Sequence, residues 1–321
     1  MFGTDRLKDK INKVNNTFVE CPVKGCREKV KRQRKRFKRE LEFMCKTHHI
    51  YISPTTFEYQ DEFDNILWKD KTDKDLLKRI KGVKRECRME HDNSEDAVTW
   101  NVFRFLERNK LLSGFLGKIS KSPITNPEVI YWSYSQLQQK TWGKLLRARI
   151  EFGESPERSS EPDIIVKSDN TIFFIEAKLT ATNDTTPSNP GDSKKYLTGG
   201  NSWFKEVFES DYQTIAISEQ KYELLRFWLI GSWIAKQLDL DFYLVNLVLS
   251  ERERDIKEIF KMHIKENRHR KFTRITWEEI YKYILSTKKA NREKEAIIEY
   301  FRNKSIGYKY KDRHLQKAFL T

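Results

Sequence analysis

Read for the spacing of its apolar residues, the chain changes character several times. Residues 1–60 show little apolar periodicity, and 61–90 read as a charged helical connector. At 95–106 the spacing turns helical. Val98, Val102, Phe105 and Leu106 form one stripe with Glu95, and Asp92 with Glu95 has capping-box spacing, so a helix is expected to open near Asp92. Strand-like sequence follows at 129–134 and 145–152, then a polar turn at 153–160. Two β-rich runs, 164–166 and 171–178, flank Lys167-Ser168-Asp169-Asn170, which predicts a hairpin. Thr, Asn, Gly and Pro accumulate at 180–201, a loop longer than compact domains usually contain and so expected to be functional or mobile. A helix at 218–238, a buried strand at 241–250, another helix, a strand at 272–276 and helices to the C-terminus complete a mixed α/β core.

Charge adds a partner to this picture. The net charge is +15, and residues 1–49 carry 15 Lys and Arg against 6 Asp and Glu, a net +9 in that segment. A polyanion, most simply nucleic acid, is the expected partner. Anionic membrane is disfavoured, because these cations come without an amphipathic apolar face. The apolar run at 224–238 contains Arg226 and Lys236, is too short to span a bilayer, and reads as a buried helix. Residues 1–13 lack a signal-peptide core, and four Cys do not make a disulfide scaffold in a chain this size, so a soluble cytoplasmic protein is expected.

The most informative stretch is Glu161-Pro162-Asp163-Ile164-Ile165-Val166 followed by Thr171-Ile172-Phe173-Phe174-Ile175-Glu176-Ala177-Lys178. Side chains alternate across a strand, so Glu176 and Lys178 share a face, and a hairpin brings Asp163 beside Glu176. Two carboxylates and an ammonium converging at a sheet end suit a hard cation such as Mg²⁺, with Lys178 placed to orient water or to stabilise charge on a phosphate. Pro162-Asp163 with Glu176-Ala177-Lys178 resembles the PD-(D/E)xK nuclease superfamily, over roughly residues 92–250. The resemblance implies a restriction-endonuclease-like α/β fold, a mixed sheet flanked by helices. It also implies a Mg²⁺-dependent endonuclease cutting DNA, with restriction or defence as a candidate role, metal on Asp163, Glu176 and the Ala177 carbonyl, and catalysis through Asp163, Glu176 and Lys178. Many members add a Glu from the preceding helix. Glu95 fits that role or simply caps its helix, with Asp96 and His91 as rivals. Gln220-Lys221-Tyr222 is similar to the Gln and Tyr that some members carry on the next helix. Cutting both strands of duplex DNA with one site per chain would favour a homodimer.

A second chemistry lies nearer the N-terminus. Cys21 and Cys26 have four residues between them, including Pro22 and Gly25, and Cys45 and His48 have two. Three thiolates and an imidazole in two spaced pairs suit a closed, structural Zn²⁺ site that lets a short segment fold with little core; His49 is an alternative to His48, and Cys87 and His91 are further candidate ligands. Between the pairs, 29–39 holds no acidic residue, and Lys29, Lys31, Arg32, Arg34, Lys35 and Arg36 are candidates to follow a phosphate backbone. The organisation expected is a small zinc-binding, nucleic-acid-contacting module at 1–60, the connector at 61–90 and the nuclease domain at 91–321. The rival functions are a zinc-containing DNA-binding protein on a nuclease-like scaffold that no longer cuts, and an RNA-directed nuclease.

Overall fold

The predicted hairpin lies at the centre of a seven-stranded mixed sheet in a computed structural model of the chain. The structure describes residues 6–35, 37–84, 87–155, 160–189, 191, 193–288, 290–309 and 314–320, the side chain of His314 excepted. From the N-terminus the strands begin with β1 (Phe18–Glu20), β2 (Lys29–Lys31), β3 (Ile50–Ile52) and β4 (Phe57–Tyr59). Helices α1 (Lys71–Val83), α2 (Glu95–Arg108) and α3 (Leu112–Ser120) follow, then β5 (Glu128–Tyr131), β6 (Tyr134–Ser135), β7 (Lys140–Thr141) and α4 (Gly143–Glu151). Next come β8 (Ile164–Lys167), β9 (Thr171–Ala177), α5 (Ser193–Ser202), α6 (Phe204–Val207), α7 (Tyr222–Leu238) and β10 (Asp241–Val248). The chain continues with α8 (Ile256–Lys261), β11 (Arg270–Thr276), α9 (Trp277–Ser286), α10 (Arg292–Asn303), β12 (Ser305–Lys309) and β13 (His314–Lys317).

These elements form two compact units: one of Met1–Lys74, Cys87–Arg108 and Trp277–Thr321, the other of Asp75–Glu86 and Asn109–Thr276. The first joins the paired strands β1–β2, β3–β4 and β12–β13 with α2, α9 and α10. Its apolar cluster includes Leu7, Ile11, Val19, Cys21, Cys45, Ile50, Ile52 and Phe57, together with Tyr308 and Leu315 from the last hairpin. The sequence pattern had suggested helices to the end of the chain; β12 and β13 instead pair antiparallel.

The second unit holds the large sheet, in the order β11-β10-β9-β8-β5-β6-β7. β10 runs parallel to both β9 and β11, whereas β8 is antiparallel to β9 and to β5. Parallel β9 and β10 need a crossover, and the segment containing α5, α6 and α7 supplies it. Ile165, Ile172, Phe174, Phe242 and Leu244 from one sheet face cluster with Leu224, Phe227 and Trp228 of α7 and with Leu145, Ala148 and Phe152 around α4. The stretch at 145–152, expected as a strand, is therefore a helix, and those three residues are its buried stripe at i, i+3 and i+7. Helix α2 begins at Glu95 rather than near Asp92. Ser94 Oγ accepts the Ala97 N–H at 3.1 Å, while Asp92 is fully buried beside Lys304 and Ser305.

Candidate functional site

At the end of β9 the apolar face of the sheet becomes polar. Ile172 and Phe174 point toward α7, and Glu176 and then Lys178 continue the same alternation. The register carries the change across neighbouring strands, since Glu176 pairs with Asn246 of β10 and Asn246 with Arg274 of β11. On the other side Ile164 pairs with Ile175, which places Asp163, just before β8, opposite Glu176. Asp163, Glu176, Asn246 and Arg274 thus form a polar row where the parallel strands end, the position at which open α/β sheets present their binding crevices.

Asp163 is aimed by two donors. The Ala177 backbone N–H reaches its Oδ2 at 2.9 Å and the Trp132 indole N–H reaches its Oδ1 at 3.0 Å. Trp132 and Ser133 turn β5 into β6 with φ of 44° and 73°, a left-handed backbone that costs free energy without glycine and is held by the strands on both sides. Glu176 is 3% exposed; its Oε1 accepts from Lys178 Nζ at 2.6 Å, and its Oε2 is buried with no hydrogen-bond partner. Lys178 Nζ also donates to Glu223 Oε2 at 3.2 Å, from the first turn of α7. Burial pushes the Glu176 carboxyl well above the ordinary carboxylate range, and Asp163 and Glu223 add to this against the pull of Lys178. Burial disfavours the Lys178 ammonium, but Glu176, Glu223 and Asp163 outweigh it and keep the lysine protonated. Three carboxylates around one cation hold Lys178 in its charged form, and burial is the main reason that Glu176 resists ionisation.

The structure places Asp163, Glu176 and Lys178 at one sheet end, with Ala177 contributing its N–H to Asp163. Glu95 belongs to the first unit, at the start of α2. Gln220 is exposed at φ 54°, Lys221 pairs with Asp184, and the Tyr222 hydroxyl meets that of Tyr196 at 2.8 Å. Sequence reasoning missed Glu223, next in line after Tyr222, along with Trp132 and Asn246. The 180–201 segment is anchored on this side: Asn183 is buried, donating to Asn246 Oδ1 at 2.8 Å and to Glu253 Oε2 at 2.5 Å.

The first unit carries the Cys and His cluster. Ligand atoms of Cys21, Cys26, Cys45 and His48 all lie within 4.8 Å of one another, with Cys21 Sγ and Cys45 Sγ each 3.6 Å from His48 Nδ1. Gly25 at φ 81° makes the turn between Cys21 and Cys26, which lie in the connection between antiparallel β1 and β2, whereas Cys45 and His48 are followed by the antiparallel pair β3–β4. His49 turns away at φ 55° and pairs through Nδ1 with Gln60 at 2.6 Å, so His48 is the fourth ligand group. A hydrogen bond from Cys21 is the main cause holding the Cys45 thiol down to about 6, toward the thiolate that a metal takes. Three sulfurs and one imidazole nitrogen fit a metal such as zinc and leave no position open for substrate.

The basic run is less free than its composition suggests. Lys31 pairs with Glu42, Lys38 with Glu40, and Arg39 with Glu58 and Glu90, so acids outside the run balance it. Arg32 is bonded to the Pro54 carbonyl and lies over the Tyr308 ring. Lys29, Arg34 and Lys35 are exposed, and Arg36 lies outside the described residues. Asn16, Arg32, Gln33 and Arg34 line a pocket of about 350 Å³.

Among the described residues, two groups of three or more candidate ligands come within 4.8 Å: the Cys and His cluster, and Glu58, Glu90 and His91. The carboxylates at the end of β9 are not such a group. No helix among the described residues is long and apolar enough to cross a membrane. No family model matches the chain, and no curated protein or solved structure is significantly similar to it.

Proposed function

We propose that the chain is a metal-dependent nuclease of restriction-endonuclease-like fold, hydrolysing phosphodiester bonds of DNA at the end of β9. The observation that carries this reading is the row of half-buried Asp163 and buried Glu176 with Lys178, three carboxylates including Glu223 around one ammonium. The unpartnered Glu176 Oε2 and the surplus negative charge are what a divalent cation would satisfy, and the donors are the hard oxygens that Mg²⁺ prefers. Asp163 and Glu176 would hold the ion, which when bound polarises a phosphoryl oxygen and acidifies water. Trp132 and Ala177 hold Asp163 to one orientation, and Lys178, kept protonated, presents positive charge to the phosphate. Exposed Lys29, Arg34 and Lys35, with the pocket beside them, are suited to phosphate contacts that position DNA without reading its sequence.

One observation favours the rival reading, a binding protein that no longer cuts. Lys178 bridges Glu176 and Glu223, and the carboxylates do not converge as ligands. Plasmid cleavage with Mg²⁺ or Mn²⁺ separates the two. The nuclease reading expects cutting by the wild type and at least a hundredfold loss in Asp163→Asn, Glu176→Gln and Lys178→Met. Intact DNA in every metal, with binding retained, would transfer the case to the binding protein; cleavage of RNA alone would change the substrate.

A further inference from the structure

Among the described residues, apart from the sheet end and the Cys and His cluster, one set of ligating side chains converges. Glu58 lies on β4, and the chain at 90–92 runs alongside it: Tyr59 N–H donates to the Glu90 carbonyl at 2.9 Å, Asp92 N–H donates to the Phe57 carbonyl at 3.0 Å, and Glu58 bridges His91. This backbone pairing presents Glu58, Glu90 and His91 together, with ligand atoms within 4.8 Å of one another. The His91 ring is further held against Phe37, centroids 5.7 Å apart.

Glu58 is 1% exposed, and its Oε2 accepts no hydrogen bond although His91 Nε2 stands 3.2 Å away. A buried carboxylate oxygen left in this way is costly unless something else satisfies it. The 3.2 Å spacing suits one ion between the two atoms, because ligands about 2.1 Å from a metal stand roughly 3.0 to 3.4 Å apart at octahedral to tetrahedral angles. Arg39 pairs with the Oε1 atoms of Glu58 and Glu90, so it leaves Glu58 Oε2 untouched and neutralises one of the two negative charges. Its place is that of an outer partner that orients ligating carboxylates.

We propose that Glu58, Glu90 and His91 form a second metal site, taking a divalent transition ion through one imidazole nitrogen and two carboxylates. This donor set suits a harder ion such as Mn²⁺ or Fe²⁺, whereas the thiolates of the Cys cluster select zinc. The site clamps β4 to the segment that leads into α2, and three protein ligands leave coordination positions for water. It does not depend on the nuclease reading.

The test uses the zinc-replete full chain carrying Glu176→Gln, so that neither of the other metal sites answers for it. Mn²⁺ is titrated in, and the free-ion electron paramagnetic resonance signal reports what remains unbound. The expected result is one tight Mn²⁺ per chain, abolished by His91→Ala and weakened at least tenfold by Glu90→Gln. Glu90 is partly exposed, so its variant should keep the fold and decides the matter if His91→Ala does not. An undiminished free-ion signal in the Glu176→Gln chain overturns the proposal, as does binding that neither variant changes.

Discussion

Of the two hydrogen bonds that orient Asp163, one comes from a side chain and is open to substitution. Replacing Trp132 by Phe removes the indole donor but keeps most of the ring, and a bond to a charged group is worth about 1.5–3 kcal/mol. Cleavage by Trp132→Phe is expected to fall roughly 10- to 100-fold, and steady-state kinetics on plasmid DNA would show it; unchanged rates would mean that Trp132 does not position the carboxylate. Asp92 and Lys304 offer a test of stability. Both are fully buried with N···O at 3.8 Å, and burial pushes Asp92 up to about 6 and Lys304 down to about 8. Lys304→Met leaves an uncompensated buried carboxylate and is expected to cost about 3–5 kcal/mol, whereas Asp92→Asn with Lys304→Met should recover much of it. The sign with pH follows from the raised acid. Its folded pKa lies above its unfolded value of 3.8, so its contribution is complete below that value and is lost as pH rises through about 6. Urea melts of wild type and Asp92→Asn should therefore differ in slope between pH 4 and 6; parallel curves would remove Asp92 as the cause.

At the scale of elements, α7 packs closely on the sheet at Gly231. A methyl group there would meet the Phe242 ring at 2.4 Å and Phe174 at 3.1 Å. Gly231→Ala is expected to lose about 1–3 kcal/mol by overpacking despite alanine's better helix propensity, and a thermal melt no lower than the wild type's would contradict this packing. The β8–β9 hairpin was legible because its two runs are uniformly β-rich and the turn between them is polar. Helix α4 was misread because β-branched or aromatic residues such as Ile150 and Phe152 suggest strand; Ile150 is in fact 64% exposed, and the helical stripe runs through Leu145, Ala148 and Phe152. Asp92 looked like a cap, and nothing local announces that its partners are Lys304 and Ser305. Glu223 was hidden for the same reason, since only the crossover from β9 to β10 brings α7 to Lys178.

For the molecule as a whole, the Cys and His cluster belongs to the core of its unit, because Cys21 and Cys45 are fully buried with Val19, Ile50 and Phe57. Stripping the metal, or substituting Cys45→Ser, is expected to unfold that core. Near-UV circular dichroism followed with zinc stoichiometry would register it; coincident melts with and without chelator would not fit a structural ion. The net charge of +15 indicated a polyanion, but the ion pairs of Lys31, Lys38 and Arg39 show why counting cations overstates the surface available to it. The C-terminal hairpin has a consequence in time. Tyr308 and Leu315 complete a cluster begun at Leu7 and Val19, roughly 300 residues earlier. At about 5–20 residues per second, a ribosome would keep those first residues waiting some 15 to 60 s for their last neighbours. During that interval three thiols stand near one another on an unfinished nascent chain, where captured zinc would shield them from oxidation.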